Sequence, residues 1–182
     1  MSLISLDFLA KRSIRCGMIS AVQSSEEYRL TSTQIGAIGE AAVAMGLTLA
    51  SSGRLAPFKP FADDDGIDLL IYDKVTKRAL PIQVKSRTKV DDIKAQTVQF
   101  DVQRSTYSDR GESHLLAVLL DGADLVCSWL VPMNEMQDAA RAGKNKLTIV
   151  PSAKPTSNDR YTPYRRHSFE EVAQDLIRTF SG

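Results

Sequence analysis

The chain has 182 residues, of which 43% are hydrophobic and 25% are charged, and its net charge is +1. This length and composition are those of one soluble globular domain with a core large enough to fold unaided, and no stretch approaches the roughly 20 apolar residues of a membrane span. Because the net charge is close to zero, any affinity for nucleic acid must come from local basic patches.

Residues 1–30 are predicted to be an N-terminal extension of unclear role, followed by a single domain over residues 31–182. The basic residues of this extension come after its apolar residues, which is the reverse of a secretory signal. Two interpretations of the extension stay open. It is a loose amphipathic helix, or, if translation begins at Met18, the residues before Met18 are not part of the protein. Cys16 and Cys127 have no metal-ligand spacing and form no disulfide framework, which is typical of a reducing compartment and predicts a cytoplasmic protein.

The first helix of the domain is predicted after a polar stretch that ends at Thr31. Thr31 and Gln34 have the spacing of a capping box, and an alanine-rich segment follows. Apolar residues recur through this segment at Ile35, Ile38, Ala42, Met45 and Leu49. Its three glycines weaken the helix but allow close packing against a sheet.

A run of strands is predicted next, because short apolar or alternating segments are separated by turn residues. A charged turn joins the second segment to the third, and an Asp-Gly-Ala-Asp turn joins the last two into a hairpin. The segments are 54–61, 68–72, 80–86, 97–103, 114–122 and 124–132.

The last part of the domain is predicted to hold a short helix at 133–143, a strand at 146–152 and a loop at 152–166. Ser168 and Glu171 then form a second capping box, which starts the final helix. This order of elements predicts one α/β domain, with a mixed central sheet flanked by helices.

Three polar residues stand in the strands on either side of the charged turn. Asp68 heads one apolar run, while Gln83 and Lys85 interrupt the next, and such groups are costly inside a sheet unless they have partners or a metal ion. The alternative is simple alternation, with Gln83 and Lys85 on the wet face of an antiparallel strand. If Tyr72 pairs near Leu80, the three groups converge at one end of the sheet, where the oxygen atoms of Asp68 and Gln83 suit a hard cation such as Mg²⁺.

This pattern resembles the D-(x)n-(D/E)xK signature of the PD-(D/E)xK nucleases. The strand aspartate of that signature is Asp68, and "QVK" at 83–85 is similar to the Gln-for-Glu form of the branch that contains Mrr-type restriction enzymes and a group I intron homing endonuclease. The helix glutamate that many members carry is matched by Glu40 in "IGEAAVA". The resemblance implies a restriction-endonuclease-like core over roughly residues 33–130.

The resemblance also implies a metal-dependent endonuclease that hydrolyses DNA phosphodiester bonds. It makes Asp68 the central ligand of Mg²⁺, for which Mn²⁺ would substitute, with Gln83 and Glu40 as further ligands and Lys85 as the catalytic lysine. Gln83 lacks the negative charge of a glutamate, so a lower metal affinity than in a glutamate form is expected. The sequence also departs from the family in the Pro-Asp pair, because Ile67 precedes Asp68. The alternative function is a catalytically inactive nuclease-fold domain that binds nucleic acid or a protein partner.

Basic residues near this predicted site are candidates for contacts with DNA phosphates. Seven Lys or Arg residues lie between Asp73 and Lys94, against three Asp, as a surface that follows phosphates would require. A second group interleaves arginines with tyrosines at 160–166, for which a solvated loop is an equally good interpretation. The predicted contacts are Lys74, Lys77, Arg78, Arg87, Lys89, Arg165 and Arg166. The partner is predicted to be duplex or branched DNA, and cutting both strands would require at least a homodimer.

Overall fold

The computed structural model describes residues 29–62, 66–89, 96–106 and 112–182. Almost all of the predicted N-terminal extension lies outside these residues. Three helices were found in the described part, namely Ser32–Ala50 (α1), Met136–Ala139 (α2) and Phe169–Ser181 (α3). The strands found there are Leu55–Phe58 (β1), Leu69–Asp73 (β2), Ala79–Thr88 (β3), Phe100–Gln103 (β4), His114–Asp121 (β5), Asp124–Pro132 (β6), Arg141–Ala142 (β7), Lys146–Ile149 (β8) and Arg165–Arg166 (β9).

Six of these strands form a central sheet in the order β1–β2–β3–β5–β6–β9. The sheet is mixed, because β3 and β5 run parallel whereas the other neighbours run antiparallel. A separate antiparallel sheet of three strands has the order β4–β8–β7. The predicted α/β class, with a mixed central sheet flanked by helices, is confirmed.

The two long helices begin where the sequence predicts. Thr31 and Gln34 form a complete capping box, in which Gln34 N–H donates to Thr31 Oγ1 at 3.2 Å and Thr31 N–H donates to Gln34 Oε1 at 2.8 Å. Ser168 caps α3, since its hydroxyl oxygen accepts from the Glu171 N–H at 3.3 Å. Both helices pack on the same face of the central sheet.

Two apolar cores lie on opposite faces of this sheet. On the first face, α1 and α3 pack on β2, β3 and alternate residues of β5, with Val43, Ile82 and Leu176 fully buried. On the second face, the three-stranded sheet and α2 cover β5 and β6, and the rings of Phe100 and Trp129 lie 5.7 Å apart between the layers. Among the described residues, this second core takes no buried apolar side chain from β1, β2 or β3.

A buried ion pair fixes the turn between β2 and β3. Arg54 donates through Nε and Nη2 to the two carboxylate oxygens of Asp73, at 2.8 and 2.9 Å. The backbone N–H groups of Val75 and Thr76 and the Thr76 hydroxyl donate to the same carboxylate. The hydrogen bond from Arg54, with these further donors, holds the pKa of Asp73 well below its ordinary value, so this buried carboxylate stays charged and the turn stays closed.

Two sequence predictions for the C-terminal part need correction. The segment predicted as a helix over 133–143 contains only a 3₁₀ turn and the four-residue α2. Its last residues form β7 instead, because the Gly143 N–H donates to the Lys146 carbonyl at 2.8 Å and returns the chain into β8. The segment predicted as a loop over 152–166 ends in β9, which pairs with the edge of β6.

The first helix is long and apolar enough to cross a membrane when judged by length and composition alone. In the folded domain it is a core helix, because its inner side, which includes Ala42, Val43 and Leu47, is buried against the sheet. Gly39 brings the helix unusually close to β3, where a Cβ atom on this glycine would lie 2.3 Å from Ser86 Cβ. The Ser86 hydroxyl uses this proximity to donate to the Ile35 carbonyl at 2.8 Å.

The contact between α1 and β3 predicts that replacing two glycines of α1 by alanine changes the free energy of unfolding in opposite directions. Gly39→Ala should lower the free energy of unfolding by about 1–3 kcal/mol, because its methyl group overlaps Ser86. Gly36→Ala, where a Cβ atom meets no other atom within 4 Å, should raise that free energy by about 1 kcal/mol through helix propensity. Urea denaturation of both variants checks this, and equal shifts in the same direction would contradict the close packing at Gly39.

Candidate active site

The register of β2 and β3 brings two of the predicted site strands into direct contact. Leu69 pairs with Ile82, and the Asp68 N–H donates to the Ile82 carbonyl at 3.0 Å. Asp68 therefore stands opposite Gln83, just beyond the last formal pair of the ladder. Tyr72 pairs with Ala79, one residue from the pairing that the sequence suggested.

Alternation along β3 separates the polar side chains from the apolar ones. Ile82 and Val84 point into the core beneath α1, so Gln83 and Lys85 point to the opposite face of the sheet. Asp68 lies on that same face because it stands opposite Gln83. One carboxylate, one amide and one ammonium group thus lie together on the face of the sheet opposite to α1.

The Asp68 carboxylate is positioned by the strand beside it. Its Oδ2 accepts a hydrogen bond from the Val84 backbone N–H at 2.6 Å and lies 3.8 Å from Lys85 Nζ. The Asp68 side chain is only 11% exposed, whereas that of Lys85 is 34% exposed. The carboxylate is thus anchored at a fixed place, while the ammonium group reaches solvent and can meet a ligand there.

Gln83 carries an unusual buried group. The residue is 5% exposed, and its Oε1 is buried without a hydrogen-bond partner in the described part of the chain. A buried acceptor left in this state costs about 1–3 kcal/mol, and a ligand bound by Oε1 would offset this cost. Amide and carboxylate oxygens are the donors that Mg²⁺ prefers, so Gln83 beside Asp68 fits a magnesium ion.

Two residues that the sequence reasoning missed enclose the Gln83 amide. Gly66 has a φ of +68°, and a Cβ atom there would lie 2.9 Å from Gln83 Nε2 and 2.6 Å from Thr106 Cβ. Only glycine fits this position, because both the backbone conformation and the space exclude a side chain. The signal available in the sequence is a glycine two residues before Asp68.

Glu40 takes a different place from the other predicted ligands. Its Oε2 accepts from Lys59 Nζ at 2.6 Å, and it lines a small cavity of about 220 Å³ with Pro57 and Leu69, between α1 and the edge of the sheet. Within the described ranges, no three His, Cys, Asp or Glu side chains are grouped closely enough to hold a metal ion. The oxygen donors that the structure does bring together are therefore those of Asp68 and Gln83.

The predicted DNA contacts on the β2–β3 hairpin fall into two classes. Lys74, Lys77 and Arg87 are exposed, and Arg87 lies on the same strand face as Lys85, two residues further along. The second class consists of residues that are paired with a carboxylate. Arg78 Nη2 donates to the two Glu112 carboxylate oxygens at 2.6 and 2.7 Å, and Lys89 Nζ lies 3.2 Å from Asp121 Oδ2. The exposed residues are better placed than the paired ones to meet a phosphate.

Of the two arginines of β9, Arg165 is buried and Arg166 is partly exposed. The side chain of Arg165 is 3% exposed, donates to Asp159 at 3.0 Å and lies over the Trp129 ring at 5.8 Å. Arg166 donates to Asp175 and to the Pro163 carbonyl. These bonds fasten the loop before β9 to the sheet and to α3. The prediction of a phosphate contact for Arg165 needs correction, because its guanidinium group is buried.

Comparison with known proteins finds similarity in structure but not in sequence. No family model and no curated protein sequence matches the chain. The solved structure of a bacterial homing endonuclease, I-Ssp6803I, matches with a TM-score of 0.54 at 19% sequence identity, over 85% of this chain and 100% of that one. The fold is restriction-endonuclease-like.

A second solved structure has lower similarity to this restriction-endonuclease-like chain. It is Archaeoglobus fulgidus Hjc, a Holliday junction resolvase from an archaeal hyperthermophile. The TM-score is 0.41 at 12% identity, over 70% of this chain and 96% of that one. The first of the two structures confirms the predicted restriction-endonuclease-like fold, and the roles of individual residues stay predictions.

The buried amide of Gln83 gives a test that needs no substrate. Gln83→Met keeps the side-chain length but removes the unpartnered oxygen, so the free energy of unfolding in EDTA should rise or change by less than about 1 kcal/mol. Gln83→Glu is the matched variant, because it adds charge beside Asp68 and should be less stable in EDTA but stabilised by Mg²⁺. Urea denaturation with and without Mg²⁺ measures both. A loss of 2 kcal/mol or more in the Met variant would show that Oε1 has a protein partner.

Proposed function

We propose that this chain is a metal-dependent endonuclease that hydrolyses DNA phosphodiester bonds. The observation that carries the proposal is the grouping of Asp68, Gln83 and Lys85 on one face of a restriction-endonuclease-like sheet. Its carboxylate lies 3.8 Å from the ammonium group, and its buried amide oxygen lacks a partner among the described residues. This set combines oxygen ligands for a cation with a positive charge for a phosphate. Polar residues that merely alternate on the solvent face of a strand would not need to be grouped in this way.

The donors present fit Mg²⁺, for which Mn²⁺ would substitute. Mg²⁺ takes one or two protein carboxylates and keeps several waters, so Asp68 and Gln83 would suffice to hold it. Glu40 would become a further ligand only by exchanging Lys59, which it now binds. When bound, the ion supplies Lewis-acid charge that polarises the phosphate and makes water more acidic.

The residues of the chain have separate roles in this proposal. The Val84 N–H orients Asp68, so the carboxylate keeps its place without help from a substrate. Lys85 donates to a phosphate oxygen and stabilises the negative charge that grows as water adds to phosphorus and one P–O ester bond breaks. The products are a phosphate monoester and a hydroxyl group, so the reaction needs only water besides the DNA.

Phosphate contacts would extend from this site along exposed basic residues. Arg87 follows Lys85 on the same face of β3, and Lys74 and Lys77 lie at the far turn of the hairpin. Arg78 and Lys89 would contribute by exchanging their present carboxylate partners. Each contact adds salt dependence to binding. Cutting both strands of a duplex requires two such sites, for which we propose a homodimer.

The second candidate function is a nuclease-fold domain that binds DNA or a protein without cutting. It is favoured by the replacement of one acid by Gln83 and by the ion pair that occupies Glu40, because both lower the negative charge available to a cation. The two candidates differ in their response to metal. An enzyme requires Mg²⁺ for turnover, whereas a binding domain is indifferent to it.

Cleavage of supercoiled plasmid and of branched DNA in Mg²⁺, Mn²⁺ or EDTA tests the proposed function. Lys85→Ala should slow cleavage by at least 100-fold, because it removes the charge that stabilises the reacting phosphate. Asp68→Asn should slow it similarly by weakening the metal site. Lys144→Ala is the matched control, since Lys144 is exposed in the turn between β7 and β8, outside the proposed site.

Two results would overturn the proposed enzyme. Cutting that persists in EDTA, or that survives Lys85→Ala, would show that this site does not perform the reaction. If the wild-type protein cuts no DNA but binds it in a salt-sensitive way, the second candidate is the better account. Circular dichroism of each variant shows that the fold is retained.

A further inference from the structure

Aromatic residues lie on the same face of the sheet as the Asp68 grouping. Phe58 of β1 pairs with Leu70 of β2, and residues that pair directly share a face, so Phe58 faces the side that carries Asp68. Tyr72 lies on this face as well, two residues beyond Leu70. The Phe58 and Tyr72 rings are in edge contact, with centroids 6.4 Å apart and planes at 75°.

A second exposed phenylalanine follows shortly after β1. Phe58 pairs with Leu70, two residues beyond Asp68 on β2. Phe61 lies three residues after Phe58, and so at most about 10 Å from it, and its side chain is fully exposed. We call Tyr72 and Phe58, which share a face of the sheet with Asp68, the aromatic strip.

The aromatic strip is not part of a core of the protein. Phe58 is 55% exposed, and Tyr72 is half-buried. The three-stranded sheet covers the neighbouring β5 and β6, and the core beneath it includes no residue of the strip. Exposed phenylalanines cost solubility without adding stability, so their clustering beside a candidate active site indicates a binding surface.

Positive charge borders the aromatic strip. Lys74 and Lys77 are exposed in the turn that follows Tyr72. Lys85 and Arg87 lie on the same face, on β3. Aromatic rings flanked by cations are the composition that binds single-stranded nucleic acid, in which bases stack on the rings and phosphates meet the charges.

An intact duplex offers nothing to such rings, because its bases are stacked on one another and only its phosphates face outward. We propose that the aromatic strip stacks on unpaired bases, and that the substrate is therefore DNA with a single-stranded stretch beside the phosphate that is cut. This inference rests on the proposed nuclease function and narrows its substrate class. Phe58, the more exposed ring of the strip, pairs with Leu70 two residues from Asp68 on β2 and makes the main contact.

Equilibrium binding in EDTA tests the strip without relying on catalysis. Fluorescence anisotropy compares a full duplex with a duplex of equal length that carries a single-stranded flap. The wild-type protein should bind the flapped DNA more tightly, and Phe58→Ala should weaken that binding on the order of ten-fold while changing duplex binding less than about two-fold. Phe58→Trp should retain the affinity, because it keeps a stacking ring. Leu49→Ala is the matched control, since Leu49 is an exposed apolar residue on α1.

The outcomes for the strip and for the nuclease are distinguishable. If Phe58→Ala behaves like Leu49→Ala on both DNAs, the strip does not bind bases, whatever the cleavage assay shows. If Phe58→Ala instead changes the oligomeric mass in light scattering and leaves DNA binding intact, the strip is a contact between copies and the inference is overturned. Flap binding that depends on Phe58, without cleavage in Mg²⁺, would support the strip and overturn the nuclease.

Discussion

The register of the β2–β3 hairpin is the constraint on which both the core and the candidate site depend. Side chains alternate along a strand, so a slip of one residue would move Ile82 and Val84 out of the core and put Gln83 and Lys85 into it. Bonds at both ends prevent this slip. At one end the Asp68 N–H and carboxylate bind the β3 backbone, and at the other the buried Asp73 holds the turn and Arg54. One aspartate thus serves both the fold and the proposed chemistry.

The two faces of the central sheet differ in character. The face under α1 and α3 is apolar and closely packed, as the contact of Gly39 with Ser86 shows. The opposite face is closed over β5 and β6 but carries the polar grouping and the aromatic strip over β1, β2 and β3. Within the described chain, the second layer buries no apolar side chain of β1, β2 or β3.

Local signals in the sequence were sufficient for most of the fold. The capping boxes at Thr31 and Ser168 fix the starts of α1 and α3, and the apolar runs at 114–122 and 124–132 leave little choice but a buried hairpin. Asp68, Gln83 and Lys85 were found because polar groups inside apolar strands are costly. Their meeting then followed from strand alternation and one short turn.

The features that the sequence did not predict depend on contacts between distant segments. Arg165 stands in a polar loop sequence, yet Asp159 and Trp129 bury it, and no local pattern announces those partners. The pairing of Glu40 with Lys59 likewise joins a helix to the end of a strand 19 residues later. The short β7 and β9 form only because β8 and β6 offer open edges, which a sequence window does not show.

The most direct test of the account is the location of a bound ion. A crystal of the protein grown with Mn²⁺, with anomalous diffraction measured at the manganese edge, places that ion independently of any assay. The account predicts one strong peak at about 2 Å from an Asp68 carboxylate oxygen and from Gln83 Oε1. The account would be contradicted by a manganese peak elsewhere. It would also be contradicted if no manganese peak appears beside Asp68 and Gln83 at millimolar Mn²⁺.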